Sequence, residues 1–171
     1  LGMLLACPLV AYALAKLDWP GRNVLFVVIL ATMMLPPQVT LIPIYILWNG
    51  LGATDTYLPL VLPAFLGTPF FIFLIRQFLL SVPDELLEAA RIDGANELQI
   101  YWTIVLPIAR PALITWAVFK FIWSWTDFLN PLIYLNSADN YTLSIVLYSF
   151  FGEHGVQWGP LMAACVLFTL P

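Results

Sequence analysis

Long apolar stretches separated by short polar turns run along this chain, and that alternation predicts a series of membrane-crossing helices. The first apolar block, Leu1 to Leu17, is rich in small residues (Gly2, Ala6, Ala11, Ala13, Ala15) that allow close helix packing in lipid. A polar turn with Lys16, Asp18, Pro20, Gly21 and Arg22 closes it. The second block, Val24 to Trp48, carries no charge, but Pro36, Pro37 and Pro43 must interrupt its hydrogen-bond ladder, so a kinked or partly unwound span is expected. Backbone carbonyls freed at membrane depth are tolerated only against protein or a water-lined cavity. The Pro36–Thr40 region is therefore a candidate path-lining element, and a simple packing kink accounts for it at least as well. Asn49 to Thr56 forms a turn whose only charge is Asp55. A third block, Tyr57 to Leu80, contains Pro59, Pro63 and Pro69, with Arg76 near its end. A fourth span is expected from about Pro111 to Leu135, a polar connector from Asn136 to Gln157, and a last apolar run from Trp158.

Between the third and fourth spans lies the one long polar interruption, Ser81 to Pro111. It holds Asp84, Glu85, Glu88, Arg91, Asp93, Glu97 and Arg110, seven of the sixteen charged residues in the chain. Such a segment, flanked by hydrocarbon-like sequence, must face water or another protein. Ser81 with Pro83 and Asp84 after it reads as a helix start: a capping side chain, a preset φ and early negative charge. Gly94 breaks the helical pattern, and glycine lets a chain turn out of a helix at low steric cost. A second helical run, Asn96 to Val105, follows, and Pro107 and Pro111 punctuate the return to apolar sequence. The expectation is a bent helix pair lying outside the bilayer.

Composition agrees with the pattern. The 171-residue chain is 62% hydrophobic and 9% charged, with a mean hydropathy of +0.93, whereas soluble domains carry about 25% charged residues. The net charge of −4 offers no basic patch for nucleic acid. Cys7 and Cys165 are isolated in apolar runs and read as small core residues, without metal or disulfide spacing. His154, beside Glu153 in a glycine-containing outer loop, reads as a solvated loop residue. No phosphate-binding G-x-x-x-x-G-K-[ST], HExxH or GxSxG pattern occurs, so no catalytic role and no cofactor or metal site is expected in this chain. The chain begins inside an apolar run, and the last run ends at Pro171 after about 21 Å of helix, short of a roughly 30 Å hydrocarbon core. A fragment cut at both ends is the expectation.

Lysine and arginine orient the spans. Lys16 and Arg22 follow the first span, and Arg76, Arg91 and Arg110 cluster around the charged loop, while loops 49–56 and 136–157 have none. Under the positive-inside rule the charged loop is cytoplasmic and the other two face out. Lys120 stands inside the fourth span, and Lys120, Ser124 and Asp127 fall at i, i+4 and i+7, one stripe of a helix. An ionisable group at that depth suggests a functional or paired site. Trp116, Trp123, Trp125 and Asn130 surround the stripe, and aromatic faces beside hydrogen-bonding groups suit sugar rings. Lys120, Trp123, Ser124, Asp127 and Asn130 are the candidate translocation path. The structural alternative is an ion pair from Lys120 to Asp127, or to a neighbouring subunit's carboxylate, that only fixes packing.

Glu88-Ala89-Ala90, Gly94, Ile104 and Leu106-Pro107, spread over 20 positions, resemble the EAA loop of bacterial ABC importer permeases. An ordinary amphipathic surface helix between two spans is the competing explanation, and the spaced Gly94 and Ile104–Pro107 argue against it. WSWTDFLNPLIYL at Trp123–Leu135, WGPLMAA at Trp158–Ala164, YALAKLDWPGRNVLF at Tyr12–Phe26 and the stretch Leu58–Leu86 are similar to the maltose-type (MalG-like) carbohydrate branch of the binding-protein-dependent inner-membrane components. Thr126 stands where that branch commonly has Asn, and Lys120 is outside the shared pattern.

The resemblance implies an all-α polytopic transmembrane bundle of the type I importer permease fold, with about five spans and one transmembrane type-1 domain over residues 1–171. It implies a multi-pass subunit of the bacterial inner membrane that forms the path for a sugar and binds no ATP itself. ATP would be bound by partner ATPase subunits, coupled through Glu88, Ala89, Ala90, Asp93, Gly94, Ile104, Leu106 and Pro107. A second permease subunit and an extracellular solute-binding protein are the other implied partners. A rival from another class is an ion-coupled carrier or channel using Lys120 and Asp127 as an intramembrane charge site. A membrane-embedded enzyme is weaker, since no catalytic grouping shares a depth.

Overall fold

The computed structural model describes residues 2–152, 155–156 and 158–170. Its helices are α1 (Gly2–Lys16), α2 (Arg22–Thr32), α3 (Pro37–Gly50), α4 (Leu58–Val61), α5 (Pro69–Leu80), α6 (Asp84–Ile92), α7 (Glu97–Ile100), α8 (Leu106–Trp125), α9 (Leu129–Tyr134), α10 (Leu143–Ser149) and α11 (Trp158–Phe168). One two-stranded pair departs from the all-α expectation: β1 (Phe151–Gly152) runs antiparallel to β2 (Gly155–Val156). The expectations for Glu153 and His154 fall outside the described residues.

Apolar helical segments follow one another in the expected order. Leu58–Leu80 and Glu97–Trp125 are each long and apolar enough to cross a membrane, and α2 with α3 makes a third span if the bent pair is counted as one. α1 and α11 are apolar but shorter. The chain divides into two compact units, Leu1–Ile44 with Val61–Lys120, and Tyr45–Leu60 with Phe121–Pro171.

In the first unit, Cys7, Ala11 and Ala15 recur every four residues on α1 and are all buried. These small side chains let α1 lie closely along α5, whose Phe71, Ile72, Ile75 and Leu79 face the same core. Gly2 is part of the same economy of space, because a Cβ there would stand 2.8 Å from the Phe65 ring. Phe26 of α2 stacks on Phe73 of α5 at 6.3 Å. Arg76 binds α1 and α2 to α5: its Nε donates to the Leu14 carbonyl at 3.1 Å, and its guanidinium lies 4.1 Å above the Phe26 ring. Leu87, Ile100, Tyr101, Val105 and Ala109 complete this core from the charged-loop side.

Prolines decide where the spans break. α2 and α3 meet at 95° across residues 33–36, where Pro36 and Pro37 disfavour helical backbone in the residue before them. Pro43 sits inside α3 without ending it. In the third block a 3₁₀ turn, Leu62–Leu66, and an extended Thr68 separate α4 from α5, which starts at Pro69.

Three expectations are corrected. Ser81 does not cap α6: it closes α5, its hydroxyl donating to the Phe78 carbonyl at 2.7 Å, and Pro83 occupies the N-cap of α6. The run after Gly94 is not a separate short helix but the start of a 29-residue helical segment, Glu97–Trp125. Pro107 and Pro111 lie within it rather than ending it. A π turn over Tyr101–Val105, in which the Leu106 N–H reaches the Tyr101 carbonyl, widens the helix just ahead of them. Finally, the fourth span stops at Trp125 instead of Leu135, and Asp127 lies in the break before α9.

In the second unit Asp55 ties the turn after α3 to the segment after α9. Its carboxylate accepts the N–H groups of Asn136 and Ser137, each at 2.8 Å, and the Ser137 hydroxyl. The Asp55 N–H donates to the Tyr134 carbonyl at 2.7 Å, and the Asn140 amide donates to the Asp55 carbonyl at 2.9 Å. Trp125 Nε1 donates to the Phe168 carbonyl at 3.0 Å, which joins the end of α8 to α11.

Candidate functional site

The charged loop is built from α6, a turn at Asp93–Asn96, and α7. α6 begins with Asp84 and Glu85 and ends with Arg91, charges that complement its macrodipole at both ends. Leu87, at 1% exposure, anchors it in the core, with Ala90 packed beside it. Gly94 adopts φ +86° and no atom lies within 4 Å of where its Cβ would be, so the glycine is required by backbone conformation rather than by space. Asn96 then caps α7 through a capping box. Its side chain accepts the Gln99 N–H at 2.9 Å, and the Gln99 side chain accepts the Asn96 N–H at 2.8 Å.

The motif positions divide by environment. Glu88, Ala89, Asp93 and Gly94 are exposed, beside Ile92 at 86% exposure and Leu98 and Trp102, also exposed. Ala90, Ile104 and Leu106 pack against the core of the first unit, and Pro107 is half-buried. One half of the motif thus presents a surface with apolar and acidic groups, while the other half holds that surface to the helices.

Two residues of α1 grip this loop, and sequence reasoning missed both. Tyr12 Oη donates to Glu97 Oε2 at 2.6 Å, and Lys16 Nζ donates to Asp84 Oδ1 and to the Val82 carbonyl, each at 2.6 Å. Arg91 Nε donates to Glu97 Oε1 at 2.8 Å, so Glu97 joins α1, α6 and α7. Hydrogen bonding and charge from Lys16 hold the Asp84 carboxyl below the ordinary aspartate range. The bond to Glu97 pushes the Arg91 guanidinium pKa up. The signal was present in principle: Tyr12 and Lys16 are the two polar-tipped residues at i, i+4 near the end of an otherwise apolar helix.

Lys16–Asp84 joins the end of the first span to the charged loop, and Asp55 joins loops 49–56 and 136–142, the two without basic residues.

The candidate path residues fare differently from the motif. Asp127 has left the stripe. Its carboxylate accepts the Asn130 N–H at 3.3 Å and the Asn130 amide at 2.9 Å, holding the first turn of α9, and its carbonyl accepts the Ser144 hydroxyl at 2.7 Å. Lys120 belongs to none of the three ion pairs found among the described residues. Trp123, Ser124 and Asn130 are exposed. Trp116 is a core residue, its ring 4.9 Å from Phe71.

A family described as binding-protein-dependent transport system inner membrane component matches residues 1–171. The chain belongs to this family. Among curated relatives, the arabinooligosaccharides transport system permease protein AraQ of Halalkalibacterium halodurans is 38% identical over 98% of this chain and 60% of its own length. The alpha-glucoside transport system permease protein AglG of Rhizobium meliloti is 37% identical over 92% of this chain and 43% of its length. The sn-glycerol-3-phosphate transport system permease protein UgpE of Yersinia enterocolitica is 37% identical over 99% and 61%. A crystal structure of a bacterial ABC transporter involved in import of the acidic polysaccharide alginate superposes with a TM-score of 0.79 at 30% identity, covering 97% of this chain and 57% of that one. The chain spans about 60% of the length of the first of these relatives. The fold is therefore that of an ABC importer permease, an integral membrane component. Family membership supports the permease role and not the ion-coupled carrier.

Proposed function

We propose that this chain is the membrane-embedded, path-forming part of a permease subunit in an ATP-driven importer of sugars or related solutes, a transport component and not an enzyme. The observation that carries the reading is the exposed surface of Glu88, Ala89, Asp93 and Gly94, held by the partly buried Ala90, Ile104 and Leu106 and turned by the positive φ of Gly94. Residues 1–171 act as one type-1 transmembrane domain. The loop faces the cytoplasm of a bacterial inner membrane and seats against an ATPase subunit that binds the ATP. Glu88 is an ionic anchor to a basic residue of that ATPase, Ala89 and Asp93 line the contact, and Ala90, Ile104, Leu106 and Pro107 hold it to the bundle. A second permease and an extracellular solute-binding protein complete the assembly. Relatives named for arabinooligosaccharides, alpha-glucosides and glycerol 3-phosphate support a polyhydroxylated solute class. Lys120, Trp123 and Ser124 face the path, and Asp127 and Asn130 shape the break at the end of α8.

Ala89→Cys in the full-length protein tests the reading. A membrane-impermeant maleimide should label it in inverted vesicles and not in intact cells, and the co-expressed ATPase should protect it. Labelling from outside, or no protection by the ATPase, would overturn the assignment.

A further inference from the structure

We propose that α1 is the arm through which displacement of the charged loop enters the bundle, with Tyr12, Lys16 and Glu97 as the residues that position it. The proposal rests on the coupling reading above and adds a route to it. Tyr12 and Lys16 lie one turn apart on one face of α1. Between them they hold the first residue of each loop helix: Lys16 takes Asp84 of α6 and Tyr12 takes Glu97 of α7. Arg91, in the last turn of α6, closes the square on Glu97. The Tyr12 ring also lies 5.5 Å from the Tyr101 ring, so it touches the π turn itself.

The covalent route from loop to bundle is the more compliant one. It passes through the π turn at Tyr101–Val105 and then through Pro107 and Pro111, two residues that donate no backbone hydrogen bond. The route through α1 has no π turn, and the one proline of α1, Pro8, lies beyond Tyr12 and Lys16 as seen from the loop. The Lys16 side chain is 4% exposed and bonded both to a carboxylate and to the Val82 carbonyl, and α1 is packed along α5 by Cys7, Ala11 and Ala15. A load on α6 or α7 therefore reaches the α1–α5 pair through short charge-assisted hydrogen bonds and close packing.

The test uses the full-length permease reconstituted with its partner permease, ATPase and solute-binding protein. Tyr12→Phe removes one hydroxyl and keeps the ring. Recovered complex and basal ATPase rate should match wild type, while the ratio of solute-stimulated to basal ATPase should fall about tenfold, the value of one hydrogen bond to a charged group. Glu97→Gln combined with Tyr12→Phe should lower the ratio no further than the stronger single variant. An unchanged ratio in Tyr12→Phe at wild-type recovery would overturn the proposal.

A second measurement does not depend on that variant. Lys16→Cys with Asp84→Cys should lower solute-stimulated transport, and bridging the pair with a short bis-maleimide should restore it if α1 and α6 move as one body. Transport unaffected before bridging, or not restored by it, would also overturn the proposal. Absence of solute stimulation in the wild-type complex would instead remove the coupling reading on which it stands.

Discussion

Lys16 and Asp84 form an asymmetric pair: Nζ and Oδ1 are 2.6 Å apart, yet the lysine side chain is 4% exposed and the carboxylate 73%. The buried partner carries the structural weight, because it alone also satisfies the Val82 carbonyl. Lys16→Met should cost about 1–3 kcal/mol, the usual penalty for stranding a partly buried acceptor. Asp84→Asn should shift stability far less, since its carboxylate reaches water. Thermal unfolding of the two variants in detergent checks the order, and equal losses would contradict it.

Gly94 separates backbone strain from crowding. Its Cβ position is open and its φ is +86°, so Gly94→Val costs about 1–2 kcal/mol at the turn through conformation alone. Asparagine tolerates this region better. Solute-stimulated ATPase and transport should be abolished in Gly94→Val, with membrane insertion intact, and largely preserved in Gly94→Asn. Equal loss in both would mean that the absent side chain, not the turn, is what the site requires.

Asp55 predicts a pH dependence. Hydrogen bonds from the Ser137 hydroxyl and from the Ser137 and Asn136 N–H groups hold its pKa well below the ordinary value. A depressed folded-state pKa contributes stability that is fully present above the unfolded value, about 3.9, and is lost as pH falls through the folded value. The apparent Tm difference between wild type and Asp55→Asn should be flat from pH 7 to about pH 5 and shrink below about pH 4. Asp55 also has φ +61°, so Asp55→Ala should melt below Asp55→Asn at neutral pH. A difference that grows toward acid would reverse the sign and refute the assignment.

Lys120 has no ion-pair partner among the described residues. Lys120→Met should therefore change the transport KM for solutes while the ATPase still co-purifies. Uptake assays with several sugars measure it, and unchanged kinetics across all of them would leave Lys120 a packing role only.

Much of this protein was legible before its fold was known. Apolar runs set the order of the apolar helices, Pro36 and Pro37 located the bend, and Gly94 located the loop's turn, because each follows from local backbone chemistry. The failures share another cause. Ser81 looked like a cap for the helix after it and closes the helix before it, since Pro83 and not Ser81 falls at the N-cap position. Lys120, Ser124 and Asp127 were a stripe only while the helix continued, and it stops at Trp125.

The sequence by itself determined the class, the order of the spans and the place of the loop, because hydropathy, proline and glycine act within a few residues of where they occur. Tertiary structure alone decided that Tyr12 meets Glu97, Lys16 meets Asp84 and Asp55 meets Ser137. Those partners lie 85, 68 and 82 residues apart, and no local periodicity encodes which distant side chain a buried or tightly bound polar group will find.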